Sequence, residues 1–154
     1  EDFTKKNTFH RVLPDHASIK DYGLIELKKD KKIKKVVVCS GKIYFDLIEA
    51  REKLKNDEVY FVRIEQLYPF PVKTLALELK RFRKNAKFYW CQEEPQNMGA
   101  WNTAKNYIEW TLNHINAETT QVNYIGRKPA ASPATGYIKR HIDQQKQIVE
   151  KVLS

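Results

Sequence analysis

The sequence predicts an α/β fold, a small open and mostly parallel sheet with helices on both faces. Two observations lead to it: short apolar segments alternate with segments in which apolar residues recur every three or four positions, and short loops join them. Such alternation is typical of parallel strands linked by helices. A chain of 154 residues also suffices for one domain with a buried core, since this size buries roughly 70% of the extended-chain surface.

The elements follow one another from residue 35 onward. Strands are expected at residues 36–39, 59–67, 87–92 and 121–125, and residues 36–39 form the continuous apolar run that is typical of a strand covered on both faces. Helices are expected between and after them, on the apolar faces that begin at Ile43, Val72, Trp101 and Ile138. In the last helix we expect Ile138, Ile142, Val149 and Val152 to lie on one packed side.

Residues 1–34 are polar and show no sustained period, so we interpret them as an arm or interdomain linker from a missing preceding domain, leading into a domain at 35–154. Phe9, Val12 and Leu13 are candidate anchors, and residues 22–27 a short pairing segment. The first residue is not Met, which favours a fragment or a processed chain.

Composition excludes several classes of protein. With 42% hydrophobic and 31% charged residues, a disordered or collagen-like chain is not expected. No apolar run approaches the ~20 residues that span a bilayer, and the N-terminus lacks the features of a signal peptide, so an intracellular protein is expected. Cys39 and Cys91 lie in apolar segments and are expected to be buried thiols.

The net charge of +9 raises the alternative of a free-standing module that binds nucleic acid. The densest basic run, residues 28–35, precedes a strand and carries no interleaved aromatic residues. We therefore favour a solvated linker over a nucleic-acid contact for this run.

The most unusual stretch runs from Arg63 to Pro71, where a strand ends in charged side chains and then in two prolines. Each proline favours extended geometry at the residue before it, and Pro71 stands where a helix can begin. Because parallel strands share their carboxyl edge, this corner should meet the loops after the other strands, at 40–41, 93–101 and 127–136.

These loops contain no self-sufficient active site. Glu93 and Glu94 have the chemistry of a general acid and base, but adjacent carboxylates usually point apart, and a bond to loop backbone or to Arg63 or Arg127 is the favoured interpretation. Ser40-Gly41-Lys42 lacks the glycine spacing of a phosphate-binding loop. We therefore interpret it as the turn at which a helix starts.

Several motifs, in order, resemble the C-terminal domain of the thiamine-dependent 2-oxoglutarate dehydrogenase component. They are the segments 39–42, 63–71, 90–95, 97–101 and 126–137, together with Gln144-Gln145 in the last helix. The resemblance covers residues 35–154, with weaker similarity over residues 1–14. It implies a sheet similar to the last domain of transketolases, in which one strand runs antiparallel.

The resemblance also implies a function for the complete protein. That protein would decarboxylate 2-oxoglutarate on thiamine diphosphate and Mg²⁺ and pass the succinyl group to the lipoyl arm of the dihydrolipoyl succinyltransferase component. The cofactor would lie between two preceding domains of a homodimer, so no catalytic, cofactor-binding or metal residue is assigned to this chain. The compartment would be the cytoplasm in a bacterium or the mitochondrial matrix in a eukaryote, with no nucleic-acid or membrane partner.

The domain's own role would then be assembly or regulation, and the isolated chain would be inactive. We expect a docking rim that packs against the preceding domains and the dimer partner, formed by Arg63, Glu65, Tyr68, Phe70, Glu93, Glu94, Asn97, Trp101 and Arg127. The same motifs would suit a 2-oxoadipate dehydrogenase or a multifunctional 2-oxoglutarate decarboxylase, because the substrate pocket that separates these enzymes is absent.

Overall fold

The structure, a computed structural model, describes residues 9–19 and 25–154. It contains a five-stranded sheet in the order β1-β3-β2-β4-β5, in which β1 is antiparallel to β3 and every other neighbouring pair is parallel. The strands are β1 (Val12–Leu13), β2 (Lys35–Cys39), β3 (Val59–Ile64), β4 (Lys87–Pro95) and β5 (Val122–Arg127). The predicted fold class is therefore confirmed, including the single antiparallel strand.

Four α-helices connect and cover the strands. They are α1 (Ile43–Leu54), α2 (Val72–Leu79), α3 (Trp101–His114) and α4 (Ile138–Leu153). The predicted second helix is continuous only to Leu79 and continues as a 3₁₀ turn at Lys80–Phe82. No helix in the described part of the chain is both long and apolar enough to cross a membrane.

The core lies on both faces of the sheet because successive strand residues point to opposite sides. On one face, Val36, Val38 and Trp90 pack with apolar residues of α2 and α3. On the other, Val37 and Phe61 pack with residues of α1 and α4. Continuous apolar strands are thus explained by two covering layers of helices.

The chain reverses its direction across the sheet at β2. From β2 it passes through α1 to β3 on one side, and from β3 it returns through α2 to β4 on the other side. The carboxyl ends of β2 and β4 therefore flank a topological switch point, where ligands and partners of open α/β sheets usually bind.

The segment before the first parallel strand joins the sheet more closely than its sequence indicated. Val12 and Leu13 are buried and pair with Ile64 and Arg63, whereas Phe9 is exposed. The pairing segment expected at 22–27 lies partly outside the described residues, and its described part, residues 25–27, is not in a strand.

Part of the basic run at 28–35 contacts the domain, while four of its lysines are exposed to solvent, as expected for a solvated segment. Lys28 and Lys34 both form ion pairs with Glu58, at 2.7 and 2.9 Å. Hydrogen bonds from Lys28 and Lys34 lower the pKa of Glu58 to about 2. Lys35 donates to the main-chain oxygens of Val152 and Ser154. Carboxylates of the domain thus pair with two lysines of the run, whereas Lys29, Lys31 and Lys32 are exposed.

The first half of α4 differs from the prediction. Val152 is buried and Val149 partly buried, but Ile138 and Ile142 are exposed, with 80% and 58% of their surface accessible. Both residues lie in the predicted helix, but only the C-terminal part of α4, at Ile148, Val152 and Leu153, is buried in the core. The expectation that Ile138 and Ile142 lie on the packed side of the helix was therefore wrong for the described residues.

Candidate functional site

The loops after the parallel strands lie at one edge of the sheet, as the sequence predicts. Cys39 at the end of β2 is aligned with Arg63 of β3 and with Cys91 of β4. The strand β4 runs on to Pro95, which pairs with Arg127 of β5 after an irregularity in register. The segments that carry the nine residues predicted for the docking rim therefore lie at this edge of the sheet.

Arg63 lies inside the domain. It is 3% exposed, and its Nε lies 2.6 Å from Oε1 of Glu65. Its guanidinium group also stacks over the rings of Tyr44 and Phe45, at 4.7 and 5.1 Å. Arg63 therefore fixes the end of β3 against α1, whereas Glu65 retains part of its surface at the edge.

The proline corner presents one aromatic ring and buries another. The peptide bond between Tyr68 and Pro69 is cis, and Gln66 Nε2 donates to the Pro69 carbonyl at 2.6 Å. The ring of Phe70 is buried and stacks on Tyr107 of α3, with centroids 4.9 Å apart and planes 9° apart. Tyr68 is 87% exposed. Phe70 thus anchors the corner, and Tyr68 is its accessible apolar group.

A pair of opposite charges spans the switch point between β2 and β4. Lys42 Nζ lies 2.6 Å from Asp46 Oδ2 and 3.8 Å from Glu93 Oε1. The hydrogen bond to Asp46 raises the pKa of Lys42. Gly41 adopts φ of +76°, which a glycine accepts readily, so Ser40-Gly41-Lys42 is a helix-start turn.

The two adjacent glutamates point into different surroundings. Glu93 pairs with Lys42, not with Arg63 or Arg127 as the sequence suggested. Glu94 is exposed, and its main-chain carbonyl accepts from Gln92 and from the Tyr124 hydroxyl. The main-chain role was among the interpretations favoured from sequence.

Gln92 organises the loop after β4, and the sequence analysis missed this role. Its Oε1 accepts from the indole nitrogen of Trp90 at 2.9 Å and from the backbone N–H of Trp101 at 3.0 Å. Its Nε2 donates to the carbonyls of Met98 and Pro95, at 2.7 and 3.1 Å. One buried amide therefore sets the path of the loop and the start of α3.

Trp101 and Asn97 hold neighbouring parts of the edge together. Trp101 is 8% exposed, and its ring lies 5.2 Å from that of Tyr124 in a tilted arrangement. The side chain of Asn97 exchanges two hydrogen bonds with the backbone of Ala130, at 2.9 and 3.0 Å. The loop after β4 is thus tied to the loop after β5.

Arg127 closes the far end of the edge. Its Nη2 lies 3.0 Å from Nδ1 of His141 on α4, and it is 9% exposed. The Tyr124 hydroxyl donates toward the Arg127 carbonyl at 2.9 Å. A Cβ at Gly126 would lie 2.2 Å from that hydroxyl oxygen, so only glycine fits between these groups.

The described residues offer no grouped carboxylate, histidine or cysteine ligands for a metal ion such as Mg²⁺. No three His, Cys, Asp or Glu side chains within residues 9–19 and 25–154 are placed to hold a metal ion. Burial raises the pKa of Cys91 to about 12, with a smaller contribution from Glu93, so this thiol is not an activated nucleophile. The edge is a surface of aromatic, amide and paired charged groups.

Comparison with known proteins shows the family of the chain. A family model described as 2-oxoglutarate dehydrogenase C-terminal matches residues 1–153. Proteins named 2-oxoglutarate dehydrogenase E1 component from Brucella anthropi, Brucella ovis and Brucella abortus are each 54% identical over 149 residues. That alignment covers 96% of this chain and 15% of each relative, so the chain spans less than a sixth of their length. The chain belongs to the 2-oxoglutarate dehydrogenase C-terminal family.

Proposed function

We propose that this chain is the C-terminal domain of a thiamine diphosphate-dependent 2-oxoglutarate dehydrogenase. The complete protein would release CO₂ from 2-oxoglutarate and transfer the succinyl group to the lipoyl group of a succinyltransferase component. The observation that carries the proposal is 54% identity over 96% of the chain to proteins with the E1 name.

Within that protein, the domain would contribute to assembly and not to the chemical steps. Thiamine diphosphate and Mg²⁺ would be held by other domains, because the described residues offer no metal ligands in a group. When bound, the cofactor supplies the carbanion chemistry of decarboxylation. The complete protein would act as a homodimer, located in the cytoplasm as expected for relatives from bacteria.

The docking rim would divide its work between two sets of residues. Arg63, Phe70, Trp101 and Arg127 are less than a tenth exposed and would give the loops their shape. Tyr68, with 87% of its surface accessible, would be inserted into the neighbouring domain, with Glu65, Glu93, Glu94 and Asn97 around it. Buried aromatic residues often dominate the binding energy of such contacts.

The activity is tested with the complete gene product. CO₂ release from 2-oxoglutarate should require both thiamine diphosphate and Mg²⁺ and should exceed release from 2-oxoadipate at equal concentration. Preference for 2-oxoadipate would assign the chain to the related dehydrogenase, and cofactor-independent CO₂ release would reject the proposal. By calorimetry, the 154-residue chain alone should not bind thiamine diphosphate with micromolar affinity.

The docking role is tested by Tyr68→Ala in the complete gene product, with Leu77→Ala as the control. Leu77 is 75% exposed on α2 and is not among the residues of the docking rim. We expect Tyr68→Ala to weaken dimer assembly or lower the rate of CO₂ release at least about fivefold, since such contacts often contribute more than ~1 kcal/mol. Equal behaviour of the two variants would remove Tyr68 from the docking rim.

A further inference from the structure

A cavity outside the switch point has the character of an anion site. It encloses about 610 Å³ between α4 and the loop after β5. This volume lies within the range of small-molecule sites. Four basic side chains line it, and no Asp or Glu does; the basic residues are Arg127, Lys128, Arg140 and Lys151.

No carboxylate of residues 9–19 or 25–154 neutralises these four charges. None of the four forms an ion pair with a carboxylate in the described part of the chain, in contrast to the basic run at 28–35. Like charges gathered around one concave space raise its positive potential and attract an anion. The cavity therefore concentrates charge for which the described residues supply no counter-charge.

Buried polar atoms without partners provide a second, independent observation. Arg127 Nε, Thr135 Oγ1 and Gln144 Oε1 are all buried, and none has a hydrogen-bond partner among the residues that the structure describes. All three residues line this cavity, and Arg127 is 91% buried, since only 9% of its surface is exposed. Unsatisfied buried polar groups are uncommon in folded proteins, and their convergence on one cavity indicates a bound polar molecule.

The start of α4 adds a third contribution. The helix has 16 residues, begins at Ile138, has no acidic residue in its first turn and receives no side-chain hydrogen bond from its N-cap residue, Tyr137. Tyr137 and Arg140 both line the cavity. The free N–H groups and the positive end of the helix dipole favour an anion at this position.

We propose that this cavity binds a small molecule that carries phosphate groups with a total charge of at least two. Arg127 and Arg140 would neutralise the phosphate oxygens, the Thr135 hydroxyl would donate to one of them, and the first turn of α4 would face another. Phosphate suits this set because its oxygens accept several charge-assisted hydrogen bonds at once. We favour a small molecule over an acidic protein segment. Arg127 is only 9% exposed, so an acidic side chain on a flat partner surface would not reach it.

The proposal goes beyond the dehydrogenase function and does not depend on it. It is tested with inorganic pyrophosphate as the probe, at constant ionic strength and in EDTA, so that a Mg²⁺-dependent cofactor site elsewhere stays empty. Calorimetry on the complete gene product should detect saturable binding, and the 154-residue chain should gain thermal stability with the probe.

Two variants of α4 and one of the loop locate the binding. Arg140→Gln should weaken binding about tenfold, because it removes a charge-assisted hydrogen bond. Lys139→Gln removes the same charge from the adjacent exposed residue, which does not line the cavity, and should change affinity less than about twofold because of screening. Thr135→Val keeps the shape of the side chain and should weaken binding about threefold.

Each outcome supports or overturns the proposed binding of a phosphate-carrying molecule in the cavity. Saturable binding that Arg140→Gln weakens and Lys139→Gln does not would support the proposal. Equal effects of the two glutamine variants would overturn it in favour of non-specific charge attraction. Absence of binding to the complete gene product would also overturn it, and binding to the 154-residue chain alone would then show that a segment of the longer protein fills the cavity.

Discussion

Asp15 and Arg51 form an ion pair that is fully enclosed by the domain. Both side chains are 0% exposed, and both terminal nitrogens of Arg51 contact the Asp15 carboxylate, with Nη2 2.9 Å from Oδ1. The same carboxylate accepts from the backbone N–H groups of Phe61 and Ala17, at 2.8 and 2.9 Å. Residues far apart in the sequence are thereby joined at β3 and α1.

Removal of one member of this pair should destabilise the domain strongly. Asp15→Asn leaves the Arg51 charge buried without a counter-charge, which costs about 3 kcal/mol or more in the free energy of unfolding. Urea unfolding measures it. The control is Asp57→Asn, since Asp57 pairs with Lys28 at the surface and should contribute less than about 1 kcal/mol. Similar losses from both variants would contradict the importance of burial.

Replacement of the Gln92 amide by a carboxyl group should destabilise the domain. Gln92→Glu removes the donor that the carbonyls of Met98 and Pro95 receive and buries an acid among acceptors, so the free energy of unfolding should fall by about 2 kcal/mol or more. Gln121→Glu makes the same chemical change at an exposed position and should alter stability by less than about 0.5 kcal/mol. An unchanged urea midpoint for Gln92→Glu would mean that the loop holds its path by other contacts.

Stability should fall as the solution becomes alkaline. Burial raises the pKa of Cys91 and of Tyr124 to about 12, and it also raises the pKa of Cys39, Tyr44 and Tyr60. Above the unfolded thiol pKa near 8.5, the unfolded chain binds fewer protons than the folded chain, so the free energy of unfolding decreases with pH. Cys91 alone should contribute a slope of about 1 kcal/mol per pH unit above pH 9.

Urea midpoints at pH 8 and pH 10 measure this alkaline loss. The Cys91→Ala variant should lose less stability between the two pH values than the parent chain does. Tyr68→Phe, which changes an exposed phenol, should follow the parent closely. A parent chain with the same midpoint at both pH values would contradict the raised pKa values.

The two thiols should resist labelling while the domain is folded. Cys39 and Cys91 are both 0% exposed and free of disulfides, and burial keeps each one protonated at pH 8. A thiol-reactive chromogenic reagent should therefore label both cysteines slowly in buffer and rapidly in denaturant. Rapid labelling of one equivalent in buffer would show local opening around that strand.

Periodicity was sufficient to predict the parallel strands and the helices because the strands are short and rich in apolar residues, and the helices between them carry an apolar residue every three or four positions. It failed where a contact depends on residues far apart in sequence. The ion pair between Asp15 and Arg51 joins positions 36 residues apart, and neither residue lies in a sequence motif that predicts the pair. The expected packing of Ile138 and Ile142 was wrong for a different reason, because helical spacing identifies an apolar face of a helix but not what covers that face.

The candidate edge was predicted in position but not in detail. Parallel strands place their loops together whatever the side chains are, so the edge followed from topology. The exposure of Tyr68 against the burial of Phe70, two residues later, depends on the ring of Tyr107 in α3. Glu93 lies in β4 and Lys42 in the turn after β2, and they pair because β2 and β4 are neighbours in the sheet, a relation that the sequence order does not display.

Hydrogen exchange tests most directly whether the docking rim is covered by the rest of a longer protein. Amides of residues 65–71 and 93–100 are compared between the 154-residue chain and the complete gene product, with the opposite-edge loops at 55–58 and 83–86 as internal controls. If the docking rim is covered, we expect strong additional protection of residues 65–71 and 93–100 in the complete protein and little change in the control loops. Equal exchange of residues 65–71 and 93–100 in both proteins would contradict it.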